Sequence, residues 1–355
     1  MLADFTAFVT AFIASLALTP LARRLALQTG MIDMPGSRKL HRVPVPLLGG
    51  LAIYAAAVPA IVFFTEGSAR TQIVGILTGA TLLITVGILD DKGLLHHQIK
   101  LLGGMPLASL ILLASGIRSH VASAFLPNNL GTLLDVCLTI VWVVGITAAF
   151  SILDHMDGLC AGIAAVASLF LLVFAAIHSQ TLVATLTAAI LGASLGFLRW
   201  NFNPAKIFLG DGGAMFLGFM MATLGLKLRF DELPPTMSWM IPVLILGVPI
   251  FDTTLISISR MRRGLIPFTS PGKDHTAHRL ANIGLGQRGA VLTLYFAGIV
   301  FGLLALTLSR LRPVPAYILA GILTLCLLVA IGWLERVFSR FGEGETAELP
   351  APRTK

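Results

Sequence analysis

Gly131-Thr-Leu-Leu-Asp-Val-Cys-Leu-Thr-Ile-Val-Trp-Val-Val-Gly-Ile-Thr-Ala-Ala-Phe150 leads into Ser151-Ile-Leu-Asp-His-Met-Asp-Gly158, and Leu159-Cys-Ala-Gly-Ile-Ala-Ala-Val-Ala-Ser-Leu-Phe-Leu-Leu-Val-Phe-Ala-Ala-Ile-His178 follows. Each flank is an apolar run of about 20 residues, the length a helix needs to cross the hydrocarbon of a bilayer. The connector is short and holds two carboxylates, Asp154 and Asp157. Two spanning helices joined at a membrane face by an acidic turn satisfy both halves of the pattern. A soluble fold leaves the length of the apolar runs unexplained.

Working outward, the same pattern recurs over 3–22, 47–65, 71–89, 98–116, 182–198, 213–228, 238–259, 289–309 and 314–335, which makes eleven apolar stretches with 131–150 and 159–178. Of the 355 residues 56% are hydrophobic and 12% charged. Mean hydropathy is +0.89. Soluble domains carry roughly twice that share of charge, and disordered chains are poor in apolar residues, so both classes are excluded. The expected fold is an all-α integral membrane protein of about eleven transmembrane helices. One polytopic domain covers 1–335, and 336–355 is a polar cytoplasmic tail, unstructured at its end. No basic residue precedes the first stretch and Asp4 stands in its place, so it is expected to be a retained span and not a signal peptide.

Net charge is +8, which admits nucleic-acid binding until the cations are placed. With the N-terminus outside, only Arg70, Arg118, Lys227, Arg229, Arg310 and Arg312 of the 25 lysines and arginines fall on the outer side. The bias orients the chain N-out and C-in and accounts for the charge without nucleic acid. The three cysteines, Cys137, Cys160 and Cys326, form no metal-spaced pair and read as small core residues. No inverted repeat of the transporter kind is evident.

Acids are scarce, and in this orientation Asp90, Asp91, Asp154, Asp157, Asp211, Asp252 and Asp274 all lie on or near the cytoplasmic face. A carboxylate beside hydrocarbon costs a few kcal/mol, so several at separate helix ends imply a shared purpose. Oxygen-rich aspartate clusters suit Mg²⁺ or Mn²⁺. The adjacent Asp90 and Asp91 repel one another and need a cation or a shared proton; Lys92 and Lys100 follow and suit phosphate oxygens, or anchor the inner face. Asn203-Pro-Ala-Lys-Ile-Phe-Leu-Gly-Asp-Gly-Gly213 places glycines around Asp211 at a helix start, where backbone amides attract anions; Asp211 suits a metal ligand, a helix cap, or both. The loop from Arg260 to Arg288 contains Lys273, Asp274, His275, His278 and Arg279. His275 and His278 form an H-x-x-H, but with no cysteine or further strong ligand beside it a phosphate or sugar contact suits the group better than zinc. The loop Asp33–Pro46 is stiffened by prolines and lined by Arg38, Lys39, His41 and Arg42, which also suit anionic headgroups.

These motifs together resemble the polyprenyl-phosphate N-acetylhexosamine-1-phosphate transferases, the glycosyltransferase 4 family, and most closely the bacterial undecaprenyl-phosphate GlcNAc-1-phosphate transferases. The resemblance runs from about residue 30 to about 300. Five motifs occur in family order: the Arg38-Lys39-x-His41 loop to Gly49-Gly50, Asp90-Asp91, Asp154 to Gly158, Asn203-Pro204-Ala205 through Gly212, and Asp274-His275 through Arg279. The resemblance implies that a polyprenyl phosphate attacks the β-phosphorus of a UDP-sugar, releasing UMP, with Mg²⁺ or Mn²⁺ as cofactor. It assigns Asp211, with Asp90 and Asp91, to metal and catalysis. Substrate contacts fall to Lys39, His41, Lys100 (lipid phosphate), Ser151, Asp154 and Asp157 (nucleotide), Asn203, Phe208 (stacked on uracil), His275, His278 and Arg279. The implied partners are a UDP-N-acetylhexosamine, undecaprenyl phosphate and membrane lipid, with a homodimer admitted. The implied location is the bacterial inner membrane, with the site facing the cytoplasm.

Three positions depart from the family pattern. Ser151 stands where Asn is frequent, His155 where relatives usually carry Gly or Asn, and Ala277 where many carry His. The missing His run argues against the branch that transfers phospho-MurNAc-pentapeptide. Rival readings are the same chemistry on another UDP-sugar, a transporter or flippase, and an inactive scaffold, for which Ser151 is the motif-level reason. The acids sit at helix ends and not at the midplane, which disfavours transport.

Overall fold

The computed structural model describes all residues except 1, 36–42, 66–68, 96, 231, 267–271, 273 and 347–355, with side chains set aside at 97 and 340–346. Among the described residues the regular structure is helical apart from one short β pair and an isolated bridge between Leu47 and Phe208. Helix α1 (Leu2–Thr29) leads to β1 (Ile32–Asp33), which pairs antiparallel with β2 (Val45–Pro46). Then come α2 (Gly49–Phe64), α3 (Arg70–Asp91) and α4 (His97–Ile99), which widens through a π turn at Lys100–Gly104 into α5 (Met105–Ala114). The middle of the chain is α6 (Val121–Phe125), α7 (Asn129–Leu153), α8 (Leu159–Ile177), α9 (Thr181–Asn201) and α10 (Gly210–Lys227). The last part is α11 (Pro235–Ser238), α12 (Met240–Ile245), α13 (Gly247–Arg262), α14 (Thr276–Leu280), a π turn at Ala281–Leu285, α15 (Gly286–Leu308) and α16 (Pro313–Thr346).

Each of the eleven apolar stretches is helical over most of its length. Among the described residues, seven helices are long and apolar enough to cross a membrane, and the α11–α13 region adds an eighth if counted as one broken span. It bends by 78° around Leu246. Pro249, three residues on, has no amide to bond back to Ile245 O, and its ring crowds the preceding turn. Gly49–Phe64 and Lys100–Ala114 are shorter apolar helices, and α10 carries Asp211 and Lys227 near its ends.

Helix α10 is the hub. Gly212 through Gly225 are buried almost without exception, because α2, α3, α7, α8 and α9 all pack on it. Small residues permit this closeness, as usual in lipid, where no hydrophobic drive separates helix from acyl chain and packing decides. A Cβ at Gly50 comes within 2.1 Å of Gly213 Cα, and one at Gly87 within 2.3 Å of Gly212 Cα. Helix α1 shows the same logic at the periphery: Ala7, Ala11, Ser15, Thr19, Ala22 and Ala26 form its buried stripe, and Ser15 Oγ donates to Ala193 O of α9 at 2.7 Å. Its other face and most of α16 expose large apolar side chains such as Phe5, Ile13, Ile322 and Leu325, which suits acyl chains. Of the three cysteines only Cys160 is a core residue; Cys137 and Cys326 are exposed. On the outer face of a spanning helix an apolar residue is satisfied by lipid, so an apolar context does not imply burial in protein.

Helix α16 continues past Glu335 to Thr346, so the segment expected as tail begins as helix. Asp135, in the first turns of α7, is fully buried and accepts the Ala122 and Ser123 amides at 2.8 and 3.2 Å, capping α6.

Candidate active site

The aspartates of the sequence motifs converge where α3, α5, α7 and α10 end. Lys100, in the π turn, donates to Asp90 Oδ2 at 2.8 Å and to Asp211 Oδ2 at 2.6 Å. Ser151, in the last turn of α7, donates to Asp211 Oδ1 at 2.9 Å. Asp91 faces another way: its carboxylate accepts the amides of Asp211 (3.0 Å) and Gly212 (3.4 Å), so it caps α10 across helices, where a negative charge meets the positive end of the helix dipole. Gly210 (φ +76°) makes the turn that allows it, and a Cβ there meets Asp91 Oδ2 at 2.7 Å. Asp90 and Asp91, adjacent in the chain, therefore do different jobs.

Asp154 lies beyond the last turn of α7. Burial, then the charges of Asp211, Asp91 and Asp157, push its carboxyl well above the ordinary carboxylate range. Asp157 instead holds the next motif: its Oδ2 accepts from Asn203 Nδ2 at 2.9 Å and from the Ala205 amide at 3.0 Å. Asn203 also donates to Gln287 Oε1 (2.7 Å) and receives Arg288 Nε on its carbonyl (3.0 Å). Asn201 receives the Gly158 amide and donates to Ile207 O, both at 3.0 Å. Phe208 is half-buried, its backbone joined to the first loop by Phe208 N to Pro46 O and Gly49 N to Phe208 O, both 2.9 Å. Gln287, Arg288, Asn201 and Tyr295, whose hydroxyl donates to Gly158 O at 2.5 Å, were absent from the sequence-based set. Only the polar Gly-Gln-Arg-Gly start of α15 signalled the first two.

The last motif divides in two. Arg279 is 1% exposed. It donates to Asp274 O, Ser259 Oγ, Leu334 O and Glu335 Oε1 at 2.7–3.0 Å. All these partners are protein groups that tie the loop to α13 and α16, so the structure places Arg279 in the framework and away from an open substrate face. Asp274 is equally internal, bridged by Arg260 at 2.9 and 3.0 Å and by Arg263 at 2.5 Å. His275 and His278 are buried, His275 Nδ1 lying 2.9 Å from Asp252 Oδ2. Asp252, at mid-α13, is one of the cytoplasmic-side acids of the sequence and here pairs with His275. Lys39 and His41 lie outside the described residues.

Burial favours the neutral form of Asp274, but hydrogen bonds and charge from Arg260, then Arg263, outweigh it and hold the carboxyl at about 2, against an ordinary 3.8. Stability from a lowered carboxyl is complete above the unfolded value and lost as pH falls through the folded one. The shift corresponds to about 2 kcal/mol. Asp274→Asn also strands a buried guanidinium, so the expected loss at neutral pH is about 3 kcal/mol or more. Thermal unfolding in detergent should show it, with the gap to wild type narrowing between pH 4 and pH 2. A gap that does not change with pH contradicts the assignment.

A hard divalent cation suits the first cluster. Its donors are carboxylate and hydroxyl oxygens from Asp90, Asp211 and Ser151, the set that Mg²⁺ and Mn²⁺ prefer, and the Lys100 ammonium already bridges two of them as a cation would.

Comparison with known proteins follows the same lines. Residues 73–229 match the model of glycosyl transferase family 4. The chain is 36% identical over 315 residues to a probable undecaprenyl-phosphate N-acetylglucosaminyl 1-phosphate transferase of Bacillus subtilis, covering 87% of this chain and 86% of the relative. It is 31% identical to a decaprenyl-phosphate N-acetylglucosaminephosphotransferase of Mycolicibacterium smegmatis, covering 82% and 79%. It is 27% identical to an undecaprenyl-phosphate alpha-N-acetylglucosaminyl 1-phosphate transferase of Yersinia pestis, covering 91% and 89%. With the aspartates, Lys100 and the Asn203–Gly213 turn gathered at one set of helix ends, and with relatives matched over most of their length, the chain belongs to glycosyl transferase family 4.

Proposed function

We propose that this protein transfers GlcNAc-1-phosphate from UDP-GlcNAc to undecaprenyl phosphate, releasing UMP and forming undecaprenyl-diphosphate-GlcNAc, the first membrane step of a cell-envelope glycan. The supporting observation is the Lys100 bridge between Asp90 and Asp211 at the ends of α3 and α10. Asp90 and Asp211 would hold a divalent cation, and the Lys100 ammonium would then be free to meet phosphate oxygens.

A phosphate oxygen of the carrier attacks the β-phosphorus, the bond to the UMP oxygen breaks, and UMP leaves carrying that electron pair. The attacking phosphate is a monoester, already ionised near neutral pH and in need of little help from a base, which favours direct attack over a phospho-enzyme. Bound Mg²⁺ or Mn²⁺ would supply charge neutralisation on the diphosphate. Asp211 and Asp90 would hold that cation, Ser151 orients Asp211, and Lys100 would meet the lipid phosphate. Asp91 keeps the α10 start in place. Asp157 and Asn203 brace the turn from which Phe208 stacks on uracil, and Asp154 faces the nucleotide.

The site opens to the cytoplasm of a bacterial inner membrane, with eleven spans and the N-terminus outside. Support comes from the cation bias and from the helical state of all eleven stretches. A periplasm-dependent phosphatase fused to the C-terminus should be inactive; an active fusion reverses the orientation. The function itself is tested by UMP release from purified protein with Mg²⁺, undecaprenyl phosphate and a panel of UDP-sugars. Release from UDP-GlcNAc that needs both lipid and metal is expected. Release from another UDP-sugar alone keeps the mechanism and changes the donor, while no release from folded protein in suitable lipid returns the transport or scaffold readings.

A further inference from the structure

We propose that His155, Asp252 and His275 form a second metal site, of the kind that takes Zn²⁺, separate from the aspartate cluster. One donor atom from each lies within 4.8 Å of the others. They come from three segments that the fold alone brings together: the α7–α8 turn, α13, and the stretch before α14. The site does not depend on the proposed transferase reaction.

The hydrogen-bond pattern leaves ligand positions open. His155 Nδ1 lies 3.2 Å from Ile152 O. A carbonyl only accepts, so Nδ1 carries the proton and Nε2 presents a bare lone pair. That Nε2 is buried with no hydrogen-bond partner, and so is Thr276 Oγ1. Two unpartnered polar atoms border a His–Asp pair whose Asp252 Oδ1 also receives the Thr276 amide at 2.7 Å. A buried polar atom without a partner carries a desolvation cost, and a cation at this point removes it for the imidazole. The His155 ring stacks on His275 at 4.0 Å between centroids and lies 4.9 Å from His278, so a second ring borders the same space.

Donor chemistry selects the metal. Two imidazoles and one carboxylate suit Zn²⁺, whereas Mg²⁺ prefers all-oxygen shells. Tetrahedral ligation at 2.0–2.1 Å would draw the donors to about 3.3 Å apart, so binding contracts the group. If Asp252 stays on Nδ1 of His275, it acts as the carboxylate that orients a ligating His through its other nitrogen. Either way the ion staples the turn that carries Asp154 to the loop held by Arg260 and Arg279.

The test uses full-length protein in detergent, without a polyhistidine tag. It is loaded with Zn²⁺, dialysed against buffer with millimolar Mg²⁺ to fill the aspartate cluster, and assayed for zinc by mass spectrometry. About one zinc per chain is expected, with Co²⁺ in its place giving the intense visible bands of four-coordinate cobalt. His155→Gly and Asp252→Asn should each lower retained zinc at least tenfold, and Asp211→Asn should leave it unchanged. His155→Cys, which keeps a zinc ligand, should retain the metal and guards against loss through misfolding. No retained zinc in wild type, equal retention in folded His155→Gly, or loss in Asp211→Asn overturns the proposal.

Discussion

Asp211→Asn should lower UMP release by about 10³-fold, the scale seen when a group that stabilises transition-state charge is removed, while leaving the protein monodisperse and its thermal unfolding within a few degrees of wild type. The asparagine keeps the size of the side chain and can still accept from Ser151, so the last turn of α7 stays in place. What goes is one of two negative charges around Lys100. The ammonium keeps its bond to Asp90, so no buried cation is stranded, which is why folding should survive. The proposed cation site would lose a full charge, and the effect should appear as a fall in turnover that raised Mg²⁺ does not restore. Turnover within tenfold of wild type would remove Asp211 from the metal role. An unfolded variant would instead assign it to the framework.

Gly50→Ala should lower stability strongly, although it adds a single methyl. That methyl has nowhere to go: its carbon would lie 2.1 Å from Gly213 Cα and 2.3 Å from Gly213 N, both backbone. Overpacking of this kind costs about 1–3 kcal/mol or more, and here relief requires moving α2 off α10. The same shift pulls on the Gly50 amide, which donates to Leu209 O at 2.8 Å, one residue before the glycine turn that sets Asp211. Lower thermal stability in detergent and lower turnover should therefore appear together. Gly145→Ala is the matched control, since a Cβ there meets nothing within 4 Å, and a mid-helix Gly replaced by Ala gains about 0.5–1 kcal/mol. Equal stability of Gly50→Ala and wild type would show that the α2–α10 contact is looser than described.

Much of the fold was legible because the bilayer imposes one strong rule: a spanning segment satisfies its own backbone and stays apolar for about 20 residues. Hydropathy alone therefore located the helical stretches. It did not reveal the break at Leu246, since Pro249 is compatible with a mild kink as well as the 78° bend, or the extension of α16, since a polar helix beyond the membrane leaves no hydropathy signal. The site was legible as residue types. Asp90, Asp211 and Ser151 do meet, through Lys100 and a direct bond. Arg279 shows the opposite: a cation in a motif loop looks like a substrate contact until its four protein partners are seen.

The sequence by itself determined that this is a helical membrane protein whose acids gather near helix ends, because apolar length and charge scarcity are local properties that no packing can reverse. Tertiary structure decided how similar acids divide their work. Asp90 faces Lys100, Asp91 caps α10, Asp157 braces Asn203, and Asp252 joins His275. A carboxylate's role is set by the charge and hydrogen-bond donors within about 3 Å of it, and here those donors sit up to 121 residues away along the chain. Only the close approach of glycine-lined helices brings them there.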